Sequence, residues 1–168
     1  RLGDDPEREG MSKTPERVEK AMRYLTHGYA SSPEQVIGNA LFEERHHNMV
    51  LVKDIEMYSL CEHHLLPFHG EAHVGYIPGP DGRIAGISKL ARLVEVFARR
   101  PQVQERMTNT VADLIDTKLG SAGVAVMVRA PDVNGLVEFT LHHFVPQIGN
   151  VAPGIMGGVT EYTYLSFS

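Results

Sequence analysis

Cysteine is nearly missing from this chain: 168 residues hold one, Cys61, and tryptophan is absent altogether. A single thiol makes no internal disulfide, so stability has to come from a packed core, and the cysteine usage points to a reducing, cytoplasmic setting. Positive charge is also scarce. Sixteen Lys and Arg stand against 21 Asp and Glu, a net charge of -5 at pH 7. That balance is the opposite of the basic surplus that gathers nucleic acid or an anionic membrane surface, and neither is expected as a partner. No apolar run is long enough to span a bilayer, and no signal-like segment opens the chain at Arg1. The shortage of cations is sharpest at the end, because residues 131–168 contain no Lys or Arg. A sheet-rich end or a tail of different origin from the body would each give that break. What is present, 42% hydrophobic and 22% charged residues, suits one globular domain with a substantial core.

The pattern along the chain predicts an α+β domain. Thr14-Pro15-Glu16-Arg17 reads as a helix opening, with Thr14 as N-cap and Pro15 in the first turn. Val18, Ala21, Met22 and Leu25 then recur on one face until His27-Gly28. Ser32-Pro33 opens a second short helix running to about Leu41. Strand-like runs cover Met49 to Leu60 and Ala72 to Ile77, the latter stopping at the turn Pro78-Gly79-Pro80-Asp81-Gly82. Together they read as a hairpin. Ser88 is positioned to cap a helix carrying Leu90, Leu93, Val94 and Phe97. Pro101 marks the first turn of another, with Val103, Met107, Val111, Leu114 and Ile115 on its apolar side. Strands follow over Val124 to Val128, Leu136 to Val145 and Val159 to Phe167. Residues 1–45 form an N-terminal helical segment in this division, and 46–168 the main domain.

The lone cysteine sits in Leu60-Cys61-Glu62-His63-His64-Leu65. A thiolate and a neutral imidazole three residues apart suit a borderline-soft ion such as zinc. One cysteine excludes the closed cages built from several thiolates, so a zinc here belongs to an open, catalytic site. The same hexad also fits a buried free cysteine beside two ordinary histidines, and spacing alone does not separate the two.

Longer stretches do. Ser59-Leu60-Cys61-Glu62-His63-His64-Leu65-Leu66-Pro67-Phe68-His69-Gly70 with Gly75-Tyr76-Ile77-Pro78 resembles a signature of the GTP cyclohydrolase I family. Gly86-Ile87-Ser88-Lys89-Leu90-Ala91-Arg92-Leu93-Val94 and Arg100-Pro101-Gln102-Val103-Gln104-Glu105-Arg106 resemble a second, and Lys13-Thr14-Pro15-Glu16-Arg17 a third. The resemblance runs over roughly residues 8 to 130. It implies the tunnelling fold, a four-stranded antiparallel sheet with two helices on one face, preceded by N-terminal helices, in a homodecamer with active sites at subunit junctions. It implies zinc-dependent opening of the GTP imidazole ring with release of formate, giving 7,8-dihydroneopterin triphosphate for folate or biopterin synthesis. By the same resemblance Cys61 and His64 hold Zn2+, and His63 and Gln104 are catalytic. Arg17, Ser88, Lys89, Arg92 and Glu105 then bind substrate. The residue types agree with those roles. A histidine titrates near neutrality, a triphosphate needs converging cations, and a carboxylate accepts from guanine N–H groups.

The resemblance breaks after Ala130. The family's His-x-Cys motif, source of a catalytic histidine and the third zinc ligand, is replaced by Ala130-Pro131-Asp132-Val133-Asn134-Gly135, and Glu138 stands where a phosphate-binding arginine is expected. Asp132, Asn134, Glu138 and His142 are the candidate third ligands; in a strand, Glu138 and His142 share one face. Two rivals to the enzyme follow from the break. One is an inactive homologue that binds nucleotide or serves as a structural or regulatory subunit. The other is a cyclohydrolase for a different purine nucleotide.

Overall fold

The computed structural model describes residues 3–38, 41–43 and 48–131, and the backbone of 137–144. The elements follow in the order α1 (Thr14–Leu25), a 3-10 turn (His27–Ala30), α2 (Pro33–Gly38), β1 (Leu41–Glu43), β2 (Val50–Cys61) and β3 (Pro67–Ile77). After these come β4 (Arg83–Ala85), α3 (Ile87–Ala98), β5 (Pro101–Gln102), α4 (Gln104–Leu119), β6 (Gly123–Pro131) and β7 (Val137–Phe144). The sheet order is β5-β2-β3-β6-β7, with β2, β3, β6 and β7 antiparallel to one another in succession and β5 parallel to β2. Two helices inserted between the second and third strands of a four-stranded antiparallel sheet is the arrangement the resemblance implies. The run Val159 to Phe167 lies outside the described residues.

One face of the sheet makes the core. Period-two alternation turns Ile55 and Met57, Ala72, Val74 and Tyr76, and Val124, Val126, Val128 and Ala130 inward. The helices answer with 3.6-residue spacing: Leu90, Leu93, Val94 and Phe97 from α3, and Met107, Val111, Ala112, Ile115 and Leu119 from α4. Each fully buried Leu, Ile or Met contributes roughly 1.5–3 kcal/mol. The Tyr76 phenol, buried in that layer, accepts the Ala85 N–H at 2.8 Å and ties β4 to the core. Burial pushes its ionisation up.

Three helix starts differ from the sequence reading. Thr14 is not the cap of α1. Lys13 holds that place without a side-chain bond, because the Thr14 N–H is already used on the Met11 carbonyl of the preceding turn. Ser88 lies inside α3, not at its cap. The β1–β4 pairing ends at Ala85, so the chain turns at Gly86 and Lys89 N–H bonds to its carbonyl. Pro101 belongs to no helix: Pro101–Gln102 pairs in parallel with Leu60–Cys61 at the sheet edge, and α4 starts only at Gln104. Proline donates nothing to a ladder, which confines it to such an edge. Ser32 opens α2 as expected, its hydroxyl accepting the Gln35 N–H at 3.3 Å, but the helix ends at Gly38 rather than near Leu41, because Leu41–Glu43 is drawn into the ladder with β4.

β2 carries an interruption. Register with β3 shifts between Val52 and Ile55, and Asp54 within that bulge has φ 58°, a conformation that costs a non-glycine residue about 1 kcal/mol. The bulge re-aims the residues before it, so that Leu51 is exposed while Ile55 is buried.

Gly70 lets β3 approach β6, because a Cβ there would collide with the Arg129 carbonyl oxygen and with Ala130. Gly120 closes α4 at φ 57°, its N–H on the Asp116 carbonyl. Gly70→Ala is expected to cost about 1–3 kcal/mol in urea unfolding through overpacking. Gly120→Ala, which meets open space, should cost about 1 kcal/mol through its φ alone.

Candidate active site

The Cys-Glu-His-His stretch forms the turn of the β2–β3 hairpin. Leu65, at φ 54°, reverses the chain, while the Cys61 N–H bonds to the Leu66 carbonyl and the Leu65 N–H to the Cys61 carbonyl, each at 2.8 Å. This tight reversal brings Cys61 Sγ to 3.4 Å from His64 Nδ1. A thiol sulfur and an imidazole nitrogen are the two donor types that borderline-soft cations take. His63 is exposed beside them, its ring edge-on to His64 at 6.3 Å between centroids.

Two bonds fix this turn to β5 and to the first turn of α4. The Glu62 N–H donates to the Gln102 carbonyl at 3.1 Å, and the Glu62 carboxylate takes a close two-point contact from the Arg106 guanidinium. That contact holds the Glu62 carboxyl below the usual carboxylate range and raises the guanidinium. The turn therefore lies against the N-terminus of α4, where Gln104 and Glu105 begin the helix. Gln104 faces inward: it is buried, and its Nε2 donates to the Val128 carbonyl at 3.2 Å, bracing α4 on β6. Glu105 is half-buried.

The cations expected to bind phosphate are elsewhere. Ser88, Lys89 and Arg92 lie in the first half of α3, whose far end leads into Pro101–Gln102 beside Cys61. At 1.5 Å per residue, Lys89 is about 15 Å along the helix axis from that end. Arg17 is exposed on α1, its guanidinium on the Gly10 carbonyl at 3.2 Å. Asp132 and Asn134 fall outside the described residues, while the backbone of β7 pairs Glu138 with Ala130 and His142 with Val126.

On the sheet face away from the helices, Glu56, Tyr58, His69, Gly70, Glu71, Arg129 and Pro131 line a cavity of about 280 Å³. Next to it, ligand-type atoms of Asp54, Glu71 and His73 all lie within 4.8 Å of one another. The sequence reading passed over these residues and the Glu62–Arg106 bond. Same-face spacing of Glu71 and His73 in a strand was visible in the sequence; the bulge that adds Asp54 was not.

The sequence profile of the GTP cyclohydrolase I family matches residues 1–133. The chain belongs to that family. It is 57% identical over 129 residues to GTP cyclohydrolase 1 of Chlorobium chlorochromatii, covering 77% of this chain and 57% of that one. To GTP cyclohydrolase 1 of Dictyostelium discoideum it is 55% identical, covering 77% and 55%, and to that of Mycobacterium leprae 53%, covering 77% and 62%. The chain thus spans a little over half the length of these GTP cyclohydrolases. A crystal structure of the archaeosine synthase QueF-Like superposes with a TM-score of 0.51 at 19% identity, covering 58% of this chain and 96% of that one, which shows a shared fold. The family match stops at residue 133, where the His-x-Cys motif is replaced. No helix among the described residues is long and apolar enough to cross a membrane.

The Glu62–Arg106 bond sets a pH dependence. A carboxyl with a lowered folded-state pKa adds stability above its unfolded value and loses it as pH falls through the folded value. Wild-type protein should therefore melt at a higher temperature than Glu62→Gln at pH 7, with the gap closing as the pH drops below 4.5. Thermal melts of both proteins across pH 2.5–7 check this.

Proposed function

We propose that this chain carries the catalytic region of a GTP cyclohydrolase I, hydrolysing GTP to formate and 7,8-dihydroneopterin triphosphate. The observation that supports this most is the hairpin turn that sets Cys61 against His64, with His63 exposed beside them and Glu105 on the helix that clasps the turn. Two ligands at about 2.3 and 2.1 Å on one tetrahedral zinc stand roughly 3.6 Å apart, and the 3.4 Å between Sγ and Nδ1 fits that edge. Zn2+ bound there supplies a water acidified towards neutral pH. Addition of water across the C8–N7 bond of guanine needs a proton at N7, and in this reading His63, exposed on the turn, carries it. The Glu105 carboxylate accepts from the guanine N–H groups. Gln104 supports Glu105 from behind through its bond to Val128.

Lys89, Arg92, Ser88 and Arg17 bind the triphosphate, and they do so across a subunit junction. Within one chain Lys89 stands about 15 Å along α3 from the end that leads to Cys61, and the cavity on the outer sheet face, at about 280 Å³, is too small for a nucleoside triphosphate. Among the described residues no side chain of α1 is fully buried, and Val18 is 53% exposed, which favours cover by a second copy. A homodecamer in the cytoplasm, feeding folate or biopterin synthesis, is the form that family membership favours.

The specific observation favouring the rival, an inactive or regulatory homologue, is Asn134 at the family's cysteine position. Zinc content and formate release measured on one purified sample separate the two. Near-stoichiometric zinc with turnover is expected, and metal-replete protein that shows neither would sink the proposal. Cys61→Ala should lose zinc and activity together. His63→Ala should keep zinc and lose about 10²–10⁴ in kcat. Lys89→Ala should raise KM for GTP about tenfold to a hundredfold with a smaller loss in kcat, the mark of uniform phosphate binding. Turnover of GDP or guanosine as fast as GTP would refute the triphosphate assignment.

A further inference from the structure

The strand register concentrates negative charge on the sheet face turned away from the helices. Glu56 lies directly across from Glu71, and both line the same cavity. Like charges opposed in a ladder destabilise it. Arg129, the partner of Glu71 on the other side, approaches its carboxylate only to 3.9 Å. One step along, the β2 bulge adds a third carboxylate, because Asp54 and Lys53 together face the single residue His73.

The imidazole makes this more than an acidic patch. His73 is largely buried, 17% of its side chain being exposed, and its Nδ1 accepts the Asp54 N–H at 3.1 Å. That nitrogen is therefore unprotonated, with its lone pair turned towards the residue whose carboxylate Oδ1 stands 3.7 Å away. Two ligand atoms at about 2.1 Å on one tetrahedral ion are roughly 3.4 Å apart, so a shift of a few tenths of an ångström seats both. With Glu71 within 4.8 Å of each, one nitrogen and two carboxylate oxygens converge from two strands.

We infer that Asp54, Glu71 and His73 form a second divalent-cation site, separate from the Cys61–His64 pair. Asp54 and Cys61 stand seven positions apart along β2, about 23 Å of extended chain. A donor set of one imidazole and two carboxylates selects a first-row cation such as Zn2+, Co2+ or Mn2+ over Ca2+, which takes six to eight oxygens. The cation takes the lone pair now occupied by the Asp54 N–H, offsets the opposed carboxylates, and clamps β2 to β3 where their ladder is interrupted. Its role is structural, and it stands or falls independently of the chemistry at Cys61.

Titration of chelator-treated protein with Co2+, followed by absorption, tests this. Wild-type protein should take up two equivalents, only one of them with a sulfur-to-cobalt charge-transfer band in the near ultraviolet. Cys61→Ala should retain one equivalent, with visible d–d bands and no sulfur band. In that background, Asp54→Gly and His73→Ala should each weaken the remaining site at least tenfold. Glycine accepts φ 58° without strain, so Asp54→Gly removes the ligand while keeping the bulge, and circular dichroism verifies its fold. Failure of Cys61→Ala protein to bind Co2+, or binding unchanged in folded Asp54→Gly, would overturn the assignment.

Discussion

The parallel pairing of Leu60–Cys61 with Pro101–Gln102 is the joint on which the site depends. It is two residues long, yet it fixes the end of β2 to the start of α4, elements separated by some forty residues of chain. From that joint the hairpin turn is held on three sides. Its own backbone bonds close the reversal at Leu65, the Gln102 carbonyl takes the Glu62 N–H, and Arg106 grips the Glu62 carboxylate. Cys61 and His64 meet because the turn has little freedom left. The same joint sets α4 in place, so that Gln104 reaches the Val128 carbonyl and locks the helix to the neighbouring strand.

That rigidity has a consequence for how a nucleotide would be held. Along α3, Lys89 stands about 15 Å and Arg92 about 10 Å from the end that leads to Cys61. No rotamer change closes about 15 Å of helix axis. Under the proposed function, catalytic turn and phosphate cations must come from different copies of the chain, which links activity to assembly. The apolar face of α1 points the same way, since among the described residues Val18 is left exposed and Met22 and Leu25 are only half-covered.

Much of the architecture was legible in the sequence. Period-two runs and 3.6-residue repeats located the strands and long helices because burial on one face demands them, and the Cys-Glu-His-His stretch stood out because thiol and imidazole are rare neighbours. Boundaries were less legible. Thr14, Ser88 and Pro101 each had the side chain of a helix start, but a local signal loses to a tertiary bond formed just upstream: the Met11 carbonyl, the β1–β4 pairing and the edge of β2, respectively. The Asp54 bulge had no sequence signal at all, because aspartate in the left-handed region is paid for by contacts made elsewhere.

By itself the sequence determined the fold class, the family and the chemical character of the turn. These follow from side-chain periodicity and from residue types at short spacing, quantities that a linear chain carries intact. Only the tertiary structure decided which residues meet. Strand register set Asp54, Glu71 and His73 around one point, the parallel joint brought Arg106 to Glu62, and the length of α3 kept Lys89 from Cys61. Such distances are fixed by packing between elements far apart in the chain, and no local pattern encodes them.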